Sequence, residues 1–233
     1  MARERNPNLV MLELTVEYLG PLAEQMVFLG GCATGLLVTD PAAPPVRPTT
    51  DVDVIVEVGT RAGYYQLAEQ LRARGFHEDT SDDAPLCRWT RKQLQLDVMP
   101  TREDILGFAN PWYPLALQTA TPTSLPSGAV ISMVTAPCFV ATKLAAFAGR
   151  GQGDYMASHD MEDLVAVLDG RPELAQEIQQ APDDLRHHLV ERVAALLADS
   201  GFVQAIPGHL PADLASQGRV PMLMERLQTI AGW

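Results

Sequence analysis

Asp51 and Asp53 stand two residues apart at the head of an alternating segment, Asp51-Val52-Asp53-Val54-Ile55-Val56-Glu57-Val58. In an extended strand, residues i and i+2 leave the same face about 7 Å apart at Cα. That spacing lets two carboxylates hold a divalent cation between them through hard oxygen donors. Two such ions about 4 Å apart can stabilise both the attacking and the leaving oxygen of an in-line displacement at phosphorus. Strand ends often expose acids to water, but these two precede the apolar alternation instead of ending it. In a second alternating segment, Gln93-Leu94-Gln95-Leu96-Asp97-Val98-Met99, Asp97 shares a face with Gln93 and Gln95. Asp97 therefore lies beside Asp51 and Asp53 if the two strands are neighbours. Earlier in the chain, Gly30-Gly31 follows the apolar run Met26-Val27-Phe28-Leu29. Consecutive glycines between a strand and a helix let backbone amides approach an anion without a Cβ in the way, and a helix N-terminus favours phosphate. Taken alone, the glycines are explained more readily by a tight strand-to-helix turn.

The basic residues add a second cluster. Of 17 Lys and Arg residues only Lys92 and Lys143 are lysine, which singles out Lys143 in its otherwise apolar segment, Phe139 to Phe147. Arg150 follows seven residues later, two turns along the same helical face. Asp160 and Asp163, three apart, share a face of a later helix and could orient Lys143 or Arg150, although acids in a first helical turn are favoured by the macrodipole in any case. His159 reads as a cap or surface residue.

The elements that must position these groups follow from periodicity. The loosely helical spacing of Leu9, Leu12, Leu14, Val16, Leu19 and Leu22 predicts a helix over 8–26, with a kink expected at Gly20-Pro21. A buried strand over 26–29 then leads through the glycines into a short helix over 32–38. Four prolines in 41–48 mark an exposed loop. Strand 51–58, helix 61–74, a hairpin of 86–89 with 93–99, and a strand over 129–134 follow. Beyond Pro137 the pattern is helical, over 138–148, 160–168, 173–179, 184–198 and 221–230. The expected class is α/β (α+β): a mixed sheet with flanking helices over 1–135, then a helical region over 136–233 that contributes to the same site.

Gly30-Gly31, then Arg47-Pro48-Thr49-Thr50-Asp51-Val52-Asp53, then an isolated acid in a later strand, resemble the polymerase-beta-type nucleotidyltransferase superfamily. Within it the Arg-x-Thr-x-Asp-x-Asp form resembles the abortive-infection nucleotidyltransferase toxins (AbiEii-like) and the related MenT toxins. Thr142-Lys143-Leu144, Arg150-Gly151 and Ser158-His159-Asp160-Met161-Glu162-Asp163-Leu164 extend the likeness, which spans roughly residues 26 to 170. The resemblance implies Mg2+, or Mn2+ in its place, held by Asp51, Asp53 and Asp97, with Asp97 activating an acceptor hydroxyl or completing a second metal site. It implies nucleotide contacts from Gly30, Gly31, Thr34, Arg47, Thr50, Lys143, Arg150 and Asp160. The implied reaction moves a nucleoside monophosphate from a nucleoside triphosphate such as ATP to an acceptor hydroxyl, releasing pyrophosphate. For a toxin the acceptor would be tRNA or protein, and a cognate antitoxin would accompany it. The antibiotic-modifying branch of the superfamily suggests a small aminoglycoside-type acceptor instead, and a non-catalytic nucleotide-binding module is a third reading. Two departures stand out: Cys32 occupies the place where the superfamily commonly has serine, and a proline-rich loop lengthens the interval from Gly31 to Asp51.

Bulk properties bound these readings. The 233 residues can bury a real core, and 47% hydrophobic with 20% charged residues is ordinary globular composition. The longest apolar run, 26–38, is too short to cross a bilayer and is broken by glycines. The start, Met-Ala-Arg-Glu-Arg-Asn-Pro, lacks the apolar segment of a signal peptide, so a cytoplasmic protein is expected. Cys32, Cys87 and Cys138 fit neither a disulfide framework nor zinc spacing. The net charge of -12 disfavours a large polyanion footprint and suits a cationic small acceptor.

Overall fold

Gly20 takes φ +55 and Pro21 supplies no N–H, so the first helix stops there. In the computed structural model, which describes residues 6–151 and 153–232, α1 covers Pro7–Leu19. Asn6 caps it, accepting from the Asn8 amide at 3.0 Å. A 3-10 turn over Gly20–Gln25 replaces the expected last turns and delivers the chain into β1, Met26–Leu29, buried throughout. The first five residues, on which the reading of the amino terminus rests, lie outside the described residues.

Helix α2, Gly30–Leu37, begins on the glycines themselves, two residues earlier than periodicity predicts. Strand β2 is Asp51–Val56, and α3, Arg61–Ala73, is capped by Thr60. Then come β3, His77–Glu78, β4, Arg88–Arg91, and β5, Leu94–Pro100. The β4–β5 turn places Lys92 at φ +56, an uncommon conformation for a side-chain-bearing residue. Two short helices follow, α4, Glu103–Leu106, and α5, Tyr113–Gln118, then β6, Thr121–Ser124, and β7, Val130–Met133. The seven strands form one mixed sheet in the order β3-β4-β5-β2-β1-β7-β6. Strand β2 lies inside it, antiparallel to β1 and parallel to β5.

The remaining helices are α6, Ala136–Arg150, α7, His159–Gly170, α8, Leu174–Gln180, α9, Asp183–Ala198, α10, Ser200–Ala205, α11, Leu214–Gln217, and α12, Val220–Ala231, with a 3-10 turn at Ile206–His209. Phe139, Leu144, Met161, Leu168, Leu189, Val193 and Leu227 are buried among them. No helix among the described residues is long and apolar enough to cross a membrane.

The chain forms two compact units: residues up to 33 with 48–135, and 34–47 with the residues from 136 on. Residues 34–47 thus group with the helices although they precede β2 in sequence. The reason is a set of polar ties. The amides of Thr39 and Asp40 donate to the Gly170 carbonyl at 2.9 Å each, Arg171 donates to the Leu37 carbonyl at 2.7 Å, and Arg219 bonds Asp40 at 2.7 Å. Such ties are invisible to a reading by hydrophobic period.

Candidate active site

The carboxylate face is built by register. Strands β2 and β5 are parallel neighbours with Asp53 opposite Asp97, Asp51 opposite Gln95 and Val54 opposite Val98. Directly opposed residues point to the same side of a sheet, so Asp51, Asp53 and Asp97 share one face. Val52, Val54, Leu96 and Val98 anchor the other face at 0% exposure. The adjacency on which Asp97 depended is therefore present.

Gly30 is what leaves room for Asp53. Strand β1 runs antiparallel beside β2 with Leu29 opposite Asp53, and Gly30 follows at φ +76. A Cβ on Gly30 would come within 1.8 Å of Asp53 Oδ2 and 2.6 Å of its Cγ. This glycine is therefore required twice over, for the left-handed turn and for the space that the carboxylate fills.

Sequence reasoning missed three residues at this face. Arg88 is the most consequential. Its Nε donates to Asp97 Oδ1 and its Nη2 to Asp97 Oδ2, each at 2.8 Å, while Nη2 also reaches Asp51 Oδ2 at 2.8 Å. The fork on Asp97 raises the guanidinium pKa above its ordinary value, overcoming burial, and the charges of Asp97 and Asp51 add to this. Arg88 is a permanent cation. A signal for it existed: once Lys92-Gln93 is taken as a two-residue hairpin turn, Arg91 faces Leu94 and Arg88 faces Asp97, as observed.

Thr49 is the second. Its hydroxyl donates to Asp51 Oδ1 at 2.7 Å, whereas the neighbouring Thr50, the expected nucleotide contact, is exposed. Asn8 is the third, a buried amide in α1 whose Oδ1 accepts the Thr49 amide at 3.0 Å. Its backbone carbonyl accepts the Cys32 thiol at 3.2 Å. Asn8 thus clips both the glycine turn and the segment entering β2 to α1.

Neither cysteine near the acids is a nucleophile. Burial pushes the Cys32 thiol far up, helped by the charges of Asp53 and Asp51. Cys87 is pushed up to about 12 by burial and then by Asp97 and Asp53. Both stay protonated at neutral pH. Cys32, in the place of the superfamily serine, is turned toward the Asn8 carbonyl, and Thr34 is fully buried.

The second cluster lies within the helical unit. Asp163, with its side chain 1% exposed, accepts Arg47 Nε and Nη2 at 3.0 Å each, and Lys143 Nζ at 2.7 Å. Lys143 Nζ also donates to Asp160 Oδ1 at 3.1 Å, and Asp160 takes a two-pronged bond from Arg150 at 2.9 Å. Burial alone would raise the Asp160 pKa, yet the Arg150 bond and the Lys143 charge bring it below the ordinary value. The result is an alternating chain, Arg47–Asp163–Lys143–Asp160–Arg150, in which each buried charge has an opposite neighbour. Arg150 keeps most of its side chain exposed, beside an open depression of about 350 Å³ lined also by Gly151, Ser158 and His159. His159 itself is exposed and pairs with Glu162.

Magnesium prefers hard oxygen donors, and three carboxylates on one face supply them. As they stand, Asp51 and Asp97 give oxygens to Arg88, and among the described residues no three His, Cys, Asp or Glu side chains are grouped ready to hold a metal ion. The donor chemistry suits such a cation, but as the side chains stand Arg88 holds two of the three carboxylates.

No protein-family model matches the chain, and no curated protein matches it. Among solved structures it is similar to an antigenic nucleotidyltransferase-like protein from Paracoccidioides brasiliensis, at 24% identity over 83% of this chain and 92% of that one, with a TM-score of 0.48. It is also similar to a candidate nucleotidyltransferase from H. pylori, at 14% identity over 99% and 96%, with a TM-score of 0.47. Both TM-scores are below 0.5, so neither likeness bears on what this chain does.

Proposed function

We propose that the protein is a metal-dependent nucleotidyltransferase, moving a nucleoside monophosphate from a nucleoside triphosphate to an acceptor hydroxyl with release of pyrophosphate. The observation that carries this reading is the parallel register that sets Asp97 opposite Asp53, on the face that also presents Asp51, beside a glycine turn shaped around the Asp53 carboxylate. Asp51 and Asp53 would hold the cation, whose chemistry when bound is to neutralise charge on the phosphates. Asp97 would complete the metal-holding face or accept the proton of the acceptor hydroxyl, a role open to a carboxylate with no histidine partner. The backbone at Gly30 and Gly31 opens α2, whose N-terminus favours an anionic group. Thr49 holds Asp51 in orientation through its 2.7 Å bond.

Lys143, Arg150 and Asp160 are proposed as the helical unit's phosphate-binding group. The exposed Arg150 would make the direct contact, while Lys143 and Asp160 hold it in place. Arg150→Ala is then expected to raise KM for the nucleotide several-fold with kcat nearly unchanged. Unchanged KM removes Arg150 from the site.

The resemblance to toxin nucleotidyltransferases favours tRNA or protein as acceptor, whereas the net charge of -12 favours a cationic small molecule over a broad RNA footprint. Incubation with labelled nucleoside triphosphate and each acceptor class separates the two. The test of the reaction itself is pyrophosphate release with magnesium: Asp51→Ala and Asp53→Ala should each lose it by about 10³-fold or more. Robust release by either variant rules the reading out.

A further inference from the structure

Arg88 occupies the position from which a cation would neutralise the carboxylate face. Its three bonds, two to Asp97 and one to Asp51, use oxygens that a divalent ion shared by these acids would need. The side chain is not a loose surface arginine: it is 19% exposed, against 28% for Asp51 and 10% for Asp97, and the hairpin register holds its backbone directly across from Asp97. Two positive charges sharing these oxygens would repel at close range, and a guanidinium forked across both Asp97 oxygens occupies the side from which a chelating ion would approach. Cation and guanidinium therefore exclude one another.

We propose that Arg88 is a resident counter-ion that competes with the divalent metal for Asp51 and Asp97, so that metal binding requires the guanidinium to release at least Asp97. The inference rests on the nucleotidyltransferase reading for its choice of metal. Three features support it. Without Arg88 the face would gather three carboxylates within one strand pair, a repulsive arrangement in a metal-free protein. A guanidinium stays charged over the whole pH range in which a protein is folded, so the competitor is always a cation. Its Nε and Nη2 reach the two oxygens of Asp97 as a fork, a geometry that a lysine at the same position could not reproduce. Once released, the same side chain can turn toward an anionic ligand, so that a metal–nucleotide complex would gain a cationic partner as it gains the carboxylates. Arg88 is in this sense a positioning residue, acting through Asp51 and Asp97.

The test is Mn2+ binding to the full-length protein in the absence of nucleotide, read by calorimetry and by the loss of the free-ion electron paramagnetic resonance signal. Arg88→Gln, which removes the charge and keeps polar bulk, should bind Mn2+ about ten-fold tighter than the wild type or better. Its melting temperature without metal should fall and should rise on adding Mn2+ by more than that of the wild type. Equal or weaker Mn2+ binding by folded Arg88→Gln overturns the proposal, as does absence of binding by both proteins. If Arg88→Gln does not fold, Arg88→Lys is read instead: it cannot make the fork, so its Mn2+ affinity should exceed that of the wild type, and an affinity at or below that of the wild type overturns the proposal. Because these readouts involve no turnover, they separate this inference from the reaction. A protein that binds Mn2+ in the expected order but releases no pyrophosphate keeps the competition and loses the assigned activity.

Discussion

At the scale of single residues, Gly30 and Gly107 offer a matched pair. Both have left-handed backbones, φ +76 and φ +84, but a Cβ at Gly107 would meet nothing within 4 Å while one at Gly30 would overlap Asp53. Gly107→Ala should therefore cost only the backbone term, about 1 kcal/mol. Gly30→Ala must in addition displace the Asp53 carboxylate or shift β1 against β2, and about 3 kcal/mol is expected. Chemical denaturation of the two variants measures the difference, and equal losses would show that the β1–β2 junction yields without strain. If Asp53 is catalytic, Gly30→Ala also loses pyrophosphate release while Gly107→Ala keeps it.

At the scale of elements, ionic ties decide how the helical unit holds together. Asp163 on α7 is the buried node joining Arg47 and Lys143. Asp163→Asn keeps the shape but leaves two cations sharing one neutral amide, and breaking a buried pair in this way should cost about 3 kcal/mol. Arg150→Ala, at the exposed end of the same chain of charges, should cost less than about 1 kcal/mol. A thermal melt of each variant checks the ranking, and a similar loss in both would mean that the network shares its strain evenly. The same elements show what a sequence can and cannot disclose. Strands β2 and β5 were legible because alternation is dictated locally, and with them the candidates Asp51, Asp53 and Asp97. The long helices α6, α7, α9 and α12 were legible for the same reason. Strands β3 and β6 and helices α4, α5, α10 and α11 are two to six residues long, too short for a period to establish itself. Asn8 was hidden because its contacts, to Cys32 and Thr49, lie 24 and 41 residues away in sequence, whereas the bond of Thr49 to Asp51 spans only two residues and was open to a local reading. Arg88 was hidden for a different reason, since its partner follows from the hairpin register and not from its own neighbours.

At the scale of the whole molecule, the two units differ in how they use acids, and this predicts how the protein fails at low pH. Among the described residues of the helical unit, five carboxylates are held below their ordinary pKa. Asp40 is held by its bond to Arg219, Asp160 by Arg150 against the opposing effect of burial, Glu173 by Thr39, Asp199 by Tyr155, and Asp213 by amides and the hydroxyl near Ser216. In the sheet unit, among the described residues, Asp79 is lowered by Ser81 and Asp104 by Arg102, both through neighbours two residues away. A carboxylate with a depressed folded-state pKa adds stability that is full above its unfolded pKa, near 4, and is lost as pH falls through the lower folded value. Bonds that span the chain, such as Asp40 to Arg219, are lost together with the structure they close, whereas bonds to a near neighbour can persist in an unfolded segment and contribute little to the difference. Acidification from neutral pH should therefore loosen the helical unit first. Hydrogen exchange followed by mass spectrometry, corrected for the intrinsic rate at each pH, should show peptides from α7 and α12 losing protection at a higher pH than peptides from β2 and β5. Replacing Asp40 by Asn should bring that loss nearer to neutral pH, because its bond to Arg219 is then weak at every pH. Simultaneous loss of protection in both units, or a sheet that opens first, would mean that the ionic ties of residues 34–47 do not govern the stability of the helices they join.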